Sequence, residues 1–323
     1  MNRVLITGGA GFIGLNLARL LAPQTKHLTL CDLRPADTQD ADFQEFLGGQ
    51  SNVEYVSGNL LEPEIYRGLG EGYDVVFHLA AMLGVEAVEN DPIGVVRNNL
   101  TGTFNLLDWF ASSKSRKIVF SSTSEVYAGA ASLGIMKVPT PESVPAVVTD
   151  IFHPRSSYAI SKLAGEHLVA QFSRRAGVDF TVIRYHNVYG PRMGFRHVIP
   201  QIMQRLAGGE NPMVVRSPEH TRAFCYVSDA VEATVALAQS AAANGRLVHA
   251  GNSHDHVSVL ELTQQIARTM GIEAELQTGH DQIGSVSRRC PDTSLLKELT
   301  GLEAKISLPA GLAQMYEWYR GRL

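Results

Sequence analysis

The amino-acid sequence predicts an α/β protein with a doubly wound parallel sheet and a smaller α/β domain at its C-terminal end. Short, nearly continuous apolar segments alternate with helix-length segments through the first 185 residues, as expected for parallel strands that helices cover on both faces. The predicted strands are residues 4–7, 28–32, 53–57, 75–79, 118–121 and 181–184. A glycine-rich turn directly follows the first of them, and doubly wound sheets bind their ligands at such turns.

The chain length predicts two domains, because 323 residues exceed what one hydrophobic core comfortably holds. We assign residues 1–185 to the larger domain and residues 186–323 to the smaller one. Turn-forming residues cluster after Tyr189, where the alternation of strands and helices becomes irregular. An apolar segment at 224–227, followed by the start of a helix, predicts that residues 223–250 return to the larger domain. The last predicted helix covers residues 309–319.

Composition and charge exclude several classes of protein. Hydrophobic residues make up 45% of the chain and charged residues 19%, which is typical of a globular protein and excludes a disordered or fibrous one. The formal net charge is -4 and no long basic run occurs, so nucleic acid is not an expected partner. No segment approaches the roughly 20 apolar residues of a membrane span, and no signal peptide precedes the first strand. We therefore expect a cytoplasmic protein without a membrane partner.

The cysteines and histidines predict neither a disulfide framework nor a metal site. Cys31, Cys225 and Cys290 are far apart in the sequence and lack the paired spacing of zinc ligands. His254 and His256 form an HxH pair on a turn, but no third ligand lies near them in the sequence.

The glycine-rich segment at residues 8–14, GGAGFIG, predicts a dinucleotide-binding turn. It lies between a predicted strand and a predicted helix, which is the context that gives this motif its meaning. Glycine lets the backbone approach a pyrophosphate, and the amides at the start of the helix favour its negative charge. Asp32 ends the second strand, where a carboxylate binds a ribose diol and repels a 2′-phosphate. NAD is therefore the expected cofactor rather than NADP, although Arg34 lies close by in the sequence.

A tyrosine and a lysine predict acid–base chemistry at the end of a neighbouring strand. Tyr158 and Lys162 have the i, i+4 spacing that brings both side chains to one face of a helix. Thr123 follows the predicted strand at 118–121, so its hydroxyl lies at the edge where parallel strands bind ligands. A lysine ammonium and an oxidised nicotinamide both favour a phenolate, which would make Tyr158 a general base. The alternative is an ordinary amphipathic helix in which Tyr158 is packed and Lys162 is solvated.

These motifs together resemble the extended short-chain dehydrogenases, the NAD-dependent nucleotide-sugar epimerase/dehydratase family. The resemblance covers nearly the whole chain and rests on these segments, in order: GGAGFIG (8–14), HLAA (78–81), NN (98–99) followed by TGT (101–103), SSTSEVY (121–127), YAISK (158–162), RYHNVYGPR (184–192) and TRAF (221–224). It implies a dinucleotide-binding, Rossmann-type domain at residues 1–185 and a substrate-binding domain at 186–323. One departure is Asn59, where the family usually has an aspartate that contacts adenine.

The resemblance also implies roles for individual residues. The catalytic residues would be Thr123, Tyr158 and Lys162, with Glu125 beside them. The cofactor-binding residues would be Gly8, Gly11, Phe12, Ile13, Gly14, Asp32, Asn59, Leu60, Leu79, Ala80, Ala81, Asn99, Ser121, Tyr158, Lys162 and Tyr185. The substrate-binding residues would be Thr123, Ser124, Asn187, Val198, Arg222 and Arg288, with Asn187 and Arg222 on the nucleotide diphosphate.

The reaction that follows oxidation at C4 of the sugar is less sharply indicated. Members of the family share that first step and then epimerise, dehydrate or decarboxylate the 4-keto sugar. Glu125 stands where dehydratases carry two adjacent acids, so a 4,6-dehydratase is disfavoured. We expect a 4-epimerase of a UDP-hexose or UDP-uronate first. The alternatives are a UDP-glucuronate decarboxylase, which the segments TSEVY and TRAF resemble, a dehydratase or 4-dehydrogenase, and an NAD-binding regulatory protein without catalysis.

Two apolar helices predict a homodimer. The segments at about 91–113 and 157–176 carry more apolar side chains than one inward face requires, and they resemble the helices that pair in this family.

Glu125 itself has two interpretations, as a catalytic acid or as a carboxylate that pairs with a cation behind the site.

Overall fold

The computed structural model describes residues 1–254, 256–281 and 286–323. The strands are β1 (Arg3–Thr7), β2 (His27–Asp32), β3 (Val53–Ser57), β4 (Val75–His78), β5 (Lys117–Thr123), β6 (Asp179–Tyr185), β7 (Val188–Tyr189), β8 (Met213–Val215), β9 (Thr221–Ala223), β10 (Cys225–Tyr226), β11 (Arg246–Ala250), β12 (His256–Ser258), β13 (Leu276–Thr278) and β14 (Arg288–Arg289). The helices are α1 (Phe12–Leu21), α2 (Ala41–Gly48), α3 (Pro63–Gly68), α4 (Val85–Asn90), α5 (Pro92–Ser112), α6 (Ala128–Ser132), α7 (Ser156–Ala176), α8 (Val198–Ala207), α9 (Val227–Gln239), α10 (Val259–Met270), α11 (Ser294–Thr300) and α12 (Leu308–Tyr319).

A seven-stranded parallel sheet forms the centre of the molecule, which confirms the predicted doubly wound fold. Its strand order is β3-β2-β1-β4-β5-β6-β11. The chain runs outward in one direction from β1 to β3 and in the other from β4 to β11. The order therefore reverses between β1 and β4, and this reversal opens the crevice in which such sheets bind ligands.

The two faces of this sheet bury alternate residues of each strand, as the two-residue period of a strand requires. On one face, Val4 and Ile6 pack in the cluster that includes side chains of α1 and α9. On the other face, Leu5 packs in the cluster that includes side chains of α5 and α7. Helices on both faces keep the sheet buried, so its strand ends are held rigidly around the crevice.

One predicted strand lies in a different sheet from the one expected. Residues 224–227 were expected to join the large sheet, and this prediction is wrong: β9 pairs with β12 and β14, and β10 pairs with β7. The strand that does return is β11, which pairs with β6 at the edge of the large sheet. An apolar segment indicates a buried strand but carries no information about its partner. The polar residues of β11, Arg246 and His249, hid its strand character in the sequence.

The segment after β6 packs against the crevice end of the large sheet through several small sheets. β9 joins β12 and β14 in one of these, and β8 pairs with β13 in another. Cys31, Cys225 and Cys290 are buried, free thiols. Within the described residues, no helix is both long and apolar enough to cross a membrane, and no cluster of three or more potential ligand side chains forms a metal site.

Candidate active site

The glycine-rich turn joins β1 to α1 at the reversal of strand order. Gly8 has φ +71°, and a Cβ on it would lie 2.8 Å from the backbone nitrogen of Ala80. A Cβ on Gly14 would collide with the carbonyl oxygen of Gly8. Gly11 donates its N–H to that same carbonyl at 3.1 Å and precedes α1 without a side chain to cap it. Phe12 and Ile13 begin the helix, so its first amides are left for a bound phosphate.

Asp32 holds this turn from the end of β2. Its Oδ2 accepts a hydrogen bond from the N–H of Ala10 at 3.0 Å, and its Oδ1 accepts one from the N–H of Leu33 at 2.8 Å. The guanidinium of Arg34 donates to the side-chain oxygen of Gln39 at 2.9 Å. The carboxylate thus lies beside the glycine turn, where the ribose of a dinucleotide is bound in folds of this kind.

Arg192 contacts the same turn from the other half of the chain, a contact that sequence reasoning missed. Its two terminal nitrogens donate to the carbonyl oxygen of Ala10 at 3.3 and 3.2 Å, and its Nε donates to Asp40 at 3.0 Å. Its side chain is 6% exposed. Asp32 therefore fixes the N–H of Ala10 and Arg192 fixes its C=O, so both peptide units beside this residue are locked.

The segment after β4 passes directly over the glycine turn. Leu79 donates its N–H to the carbonyl of Thr7 at 3.1 Å, and Ala80 follows it at the close approach to Gly8. Ala81 and Met82 continue this segment, and Asn99 of α5 binds the backbone of Met82 through both side-chain atoms, at 2.7 and 3.1 Å. Asn99 is expected to line the cofactor channel, and the structure shows its amide bound to the backbone of this segment.

Tyr158 and Lys162 lie one turn apart on α7, next to the end of β5. Lys162 donates to the carbonyl oxygen of Ser121 at 2.9 Å, while the hydroxyl of Ser121 donates to the carbonyl of His78 at 2.9 Å. The ammonium of Lys162 lies 6.0 Å from the centre of the Tyr158 ring. The helix and two neighbouring strands thus bring together the phenol and ammonium that the YxxxK spacing predicts.

Burial shifts the pKa values of both Tyr158 and Lys162 away from their ordinary values. Burial lowers the pKa of Lys162 to about 8, and Glu166 opposes this shift. Burial raises the pKa of Tyr158 above its ordinary value, and the Glu125 carboxylate raises it further. The phenolate expected from the sequence depends on the charges of Lys162 and of an oxidised nicotinamide together, and only the first of these belongs to the protein itself. Tyr158 needs additional positive charge in the site before it can act as a base.

Thr123 begins the short turn that carries Ser124 and Glu125. Its hydroxyl accepts the N–H of Glu125 at 3.2 Å and so caps a 3-10 turn, Ser124–Tyr127. Glu125 forms an ion pair with Arg289, whose Nη1 and Nη2 donate to the two carboxylate oxygens, the second at 3.2 Å. Burial favours a protonated Glu125, but Arg289 and then Arg222 outweigh it and lower its pKa. Glu125 is therefore a carboxylate held beside the predicted reaction centre.

Arg222 and Arg289 lie directly opposite each other on the paired strands β9 and β14. Two like charges in this position destabilise a sheet unless an anion lies between or beside them. Burial, followed by the charge of Arg289, lowers the pKa of Arg222 to about 10. Glu125 forms its ion pair with Arg289, and its charge also acts on Arg222, so the three side chains form one charged cluster.

Arg288 was predicted to bind substrate, but its neighbour Arg289 is the one that contacts Glu125. Arg288 is exposed, while the side chain of Arg289 is 15% exposed. Successive side chains of a strand point to opposite faces, so only one of two adjacent arginines reaches the site. The sequence contained both arginines but not the register that selects between them.

The other predicted residues lie in turns or at the ends of strands and helices. Asn59 caps the turn after β3 through Leu61, and Leu60 follows it in that turn. Tyr185 ends β6, where its hydroxyl donates to Thr234, which in turn donates to a backbone carbonyl; its phenol is thus occupied by the fold. Asn187 has φ +42° and donates to the carbonyl of Ala223 at 3.0 Å, and Val198 is the first residue of α8.

A buried network of polar side chains connects α7 to the ends of the neighbouring strands. Arg184 of β6 donates to Glu166 of α7 in a two-point contact at 2.8 and 2.7 Å, and it also donates to the hydroxyl of Tyr127. Because this hydroxyl accepts from an arginine, it donates to Nε2 of His249, at 2.7 Å. Glu166 lies one turn after Lys162, so the network fixes α7 against β5, β6 and β11.

The glycine turn and the Thr123, Tyr158 and Lys162 group define a dinucleotide-dependent enzyme of the short-chain dehydrogenase type. A Cβ at Gly8 or Gly14 would collide with the backbone of Ala80 or of Gly8, so only glycine permits this tight turn. The amides at the start of α1 have no side-chain cap, so the residues present fit the pyrophosphate of NAD.

Comparisons with known proteins agree with this class. The family model for the NAD dependent epimerase/dehydratase family matches residues 4–251. UDP-N-acetyl-alpha-D-glucosaminuronate decarboxylase of Bacillus cytotoxicus is 33% identical over 328 residues, covering 98% of each chain. UDP-glucuronic acid decarboxylase 1 of Xenopus tropicalis is 31% identical, covering 99% of this chain and 73% of its own. A crystal structure of UDP-galactose 4-epimerase superposes with a TM-score of 0.81 at 29% identity and covers 99% of both chains. The chain belongs to the NAD-dependent epimerase/dehydratase family, and NAD is its cofactor.

Proposed function

We propose that the protein decarboxylates a UDP-linked uronic acid by way of a ketone at C4 of the sugar. The observation that carries this proposal is the pairing of Glu125 with Arg289, while Arg222 lies opposite Arg289 in the sheet. Every nucleotide sugar brings a diphosphate, to which the family resemblance assigns Arg222. Only a uronate brings a further carboxylate on the sugar, and the guanidinium of Arg289 suits it.

The first step follows from the residues at the end of β5 and on α7. Tyr158 accepts the proton of the C4 hydroxyl, and Thr123 hydrogen-bonds the same oxygen. Lys162 keeps a positive charge near the phenol and is itself held by the carbonyl of Ser121. When bound, NAD⁺ supplies the hydride acceptor for C4 and additional positive charge in the site. The product of this step is a 4-keto sugar.

The ketone makes the C6 carboxylate of a uronate a good leaving group, because C6 is then β to a carbonyl. The C5–C6 bond breaks, C6 leaves as CO₂, and its electron pair remains on C5 as the enolate of the C4 ketone. Arg289 orients the carboxylate, while the fixed charge of Glu125 disfavours a tightly held carboxylate anion and favours its loss. A proton then adds at C5, and return of the hydride to C4 gives a UDP-pentose.

The relatives support decarboxylation as the first candidate reaction and 4-epimerisation as the second. The two decarboxylases named above match at 33% and 31% identity, and each covers nearly all of this chain. 4-Epimerisation, the reaction expected first from the sequence, is the second candidate, and the solved UDP-galactose 4-epimerase supports it. An epimerase needs the same Tyr158 and Thr123 chemistry and space for the ketone to turn over, with Glu125 in a supporting role only.

Product analysis distinguishes these reactions. The purified protein with NAD⁺ would be incubated in D₂O with UDP-glucuronate, UDP-N-acetylglucosaminuronate, UDP-galacturonate and UDP-glucose, and followed by ¹H NMR together with CO₂ release. We expect CO₂ and a UDP-pentose that carries deuterium at C5, from one or both of the first two substrates. A C4-inverted product that keeps six carbons and has no deuterium at C5 would instead establish the epimerase.

A homodimer is part of this proposal. On α5, Ile93 and Phe104 are 70% and 50% exposed, although the opposite side of the same helix is buried in the core. Pairing of α5 and α7 with the same helices of a second copy would cover these side chains. Light scattering at micromolar concentrations should give about twice the mass of one chain; a monomer mass would contradict the proposal.

A further inference from the structure

His186 is a buried side chain whose two ring nitrogens have no hydrogen-bond partner among the described residues. It is 2% exposed. The other buried histidines near the site differ: His78 uses both nitrogens in hydrogen bonds with threonine hydroxyls, and His249 bonds Tyr127 and a backbone carbonyl. Buried polar groups in native proteins are nearly always satisfied, so an exception needs an explanation.

The imidazole lines a small cavity, of about 10 Å³, that begins beside the reaction centre. Ser124, the residue after Thr123, and Arg289, the partner of Glu125, form part of the lining, and the others are Tyr127, Ala128, Met136, Thr140, Val286 and Cys290. This volume holds about one water-sized atom, so a single oxygen of a sugar substituent fits it and a nucleotide sugar does not. The polar side chains of this lining include three hydroxyls, the guanidinium of Arg289 and the unpartnered imidazole.

The groups around His186 keep it uncharged. Its ring centre lies 4.5 Å from that of His249 and 6.3 Å from that of Tyr127. Burial holds its pKa well below the usual range, and His249, Arg289 and Arg184 lower it further. A neutral imidazole offers one donor and one acceptor, which suits a carboxylate oxygen on one side and a hydroxyl on the other.

We propose that His186 is a substrate-positioning residue that hydrogen-bonds the group at C6 of the sugar, inside the cavity it shares with Ser124 and Arg289. This inference rests on the proposed function. With C4 held by Thr123 and Tyr158, the neighbouring C5 and its substituent extend past Ser124, the next residue of the turn. Arg289 selects an anionic substituent there, and His186 supplies the hydrogen bond that fixes its orientation.

The test compares ligands that differ only at C6. UDP-glucuronate carries a carboxylate at this position, UDP-glucose a hydroxymethyl group, and UDP-xylose no carbon at all. His186→Phe keeps the ring shape and removes both nitrogens. We expect binding of UDP-glucuronate to weaken about 10- to 100-fold in calorimetry, with UDP-xylose and UDP affinities changed less than about twofold. Thermal stability should stay the same or rise, because the unpartnered nitrogens are gone.

Two further variants serve as controls for the role of His186. His186→Asn keeps a donor and an acceptor and should recover part of the UDP-glucuronate affinity. Gln265→Leu removes another unpartnered polar atom, the side-chain oxygen of Gln265 on α10, and should change no ligand affinity. Equal losses for UDP-glucuronate and UDP-xylose in His186→Phe, or no loss for either, would overturn the proposal.

Two measurements on the wild-type protein test the contact if a variant folds poorly or if the protein catalyses another reaction. In the wild-type protein, the ¹⁵N resonances of His186 should move on addition of UDP-glucuronate and not of UDP-xylose, and resonances unmoved by either ligand would reject the contact. Product analysis tests decarboxylation separately. An epimerase that binds UDP-uronates through His186 would therefore refute the proposed reaction and leave this contact intact.

Discussion

The side-chain amide of Asn99 on α5 donates a hydrogen bond to the hydroxyl oxygen of Ser161 on α7, over 2.9 Å. Ser161 directly precedes Lys162, and the same amide also binds the backbone of Met82 in the segment above the glycine turn. One buried residue therefore ties the catalytic helix to the segment that covers the cofactor crevice. A change at Asn99 is expected to act on both.

Replacing Asn99 with leucine tests this connection. The variant keeps the size of the side chain but leaves the N–H and C=O of Met82 without these partners, at a cost of about 1–3 kcal/mol in the free energy of unfolding. Urea unfolding should show this loss, and calorimetry should show weaker NAD binding. Asn98→Leu is the matched control, since Asn98 bonds the carbonyl of Gly94 on its own helix and contacts only the sulfur of Met82, not its backbone. Equal effects of the two variants would contradict the connection.

Replacing Tyr158 with phenylalanine should abolish most turnover without unfolding the protein. The hydroxyl of Tyr158 makes no hydrogen bond within the part of the chain that the structure describes, so its loss leaves no partner unsatisfied. Loss of a general base lowers kcat by roughly 10²- to 10⁴-fold. Steady-state kinetics and the melting temperature together check this. Near-normal turnover would remove Tyr158 from the mechanism.

Asp32 should determine the preference for NAD over NADP. Its carboxylate lies beside the glycine turn and repels a 2′-phosphate. Asp32→Ala should narrow the ratio of the two dissociation constants by about tenfold or more, while both cofactors bind somewhat less tightly because Ala10 loses its partner. Calorimetry with each cofactor measures the ratio. Equal affinities in the wild type would refute the assignment.

The ion pair between Glu125 and Arg289 should be required for decarboxylation. Glu125→Gln removes the charge that holds the guanidinium, so kcat for the uronate should fall at least about tenfold. Arg289→Gln should fall further, and the double variant should lose less than the sum of both effects. Arg288→Gln, one residue away on the same strand, should behave as wild type. Little effect of Glu125→Gln would favour the epimerase instead.

Stability should decrease in mild acid because of three buried histidines. Burial lowers the pKa of His78 to about 3 and that of His249 to about 4, and it holds the pKa of His186 well below 6.5. The unfolded chain binds these protons near pH 6.5 and the folded protein only at lower pH. The free energy of unfolding should therefore fall as pH decreases from about 6.5 to 4, by up to about 1.4 kcal/mol per pH unit for each histidine.

Urea unfolding at pH 7, 6, 5 and 4 measures this dependence. The variant His186→Phe lacks one of the three groups and should show a shallower slope. An unfolding free energy that stays constant over this range in the wild type would show that these histidines take up protons in the folded protein.

Features that depend on neighbouring residues could be predicted from the sequence, and those that depend on strand register could not. The glycine turn and the YxxxK pair are local patterns, and the strands predicted at 4–7 and 53–57 agree with β1 and β3 within one residue. Arg289 reaches Glu125 across 164 positions, and only the pairing of β14 with β9 selects it over Arg288. The homodimer and the cytoplasmic location remain predictions.

The contact of Arg192 with Ala10 has a consequence for how this chain can be divided. A fragment that ends at residue 185 would contain every residue of the dinucleotide motif and the whole Tyr158–Lys162 pair. It would lack the guanidinium that holds the carbonyl of Ala10 and the last strand of the sheet, β11. We therefore expect tight cofactor binding to require both halves of the chain, although the dinucleotide motif lies entirely within the first 32 residues.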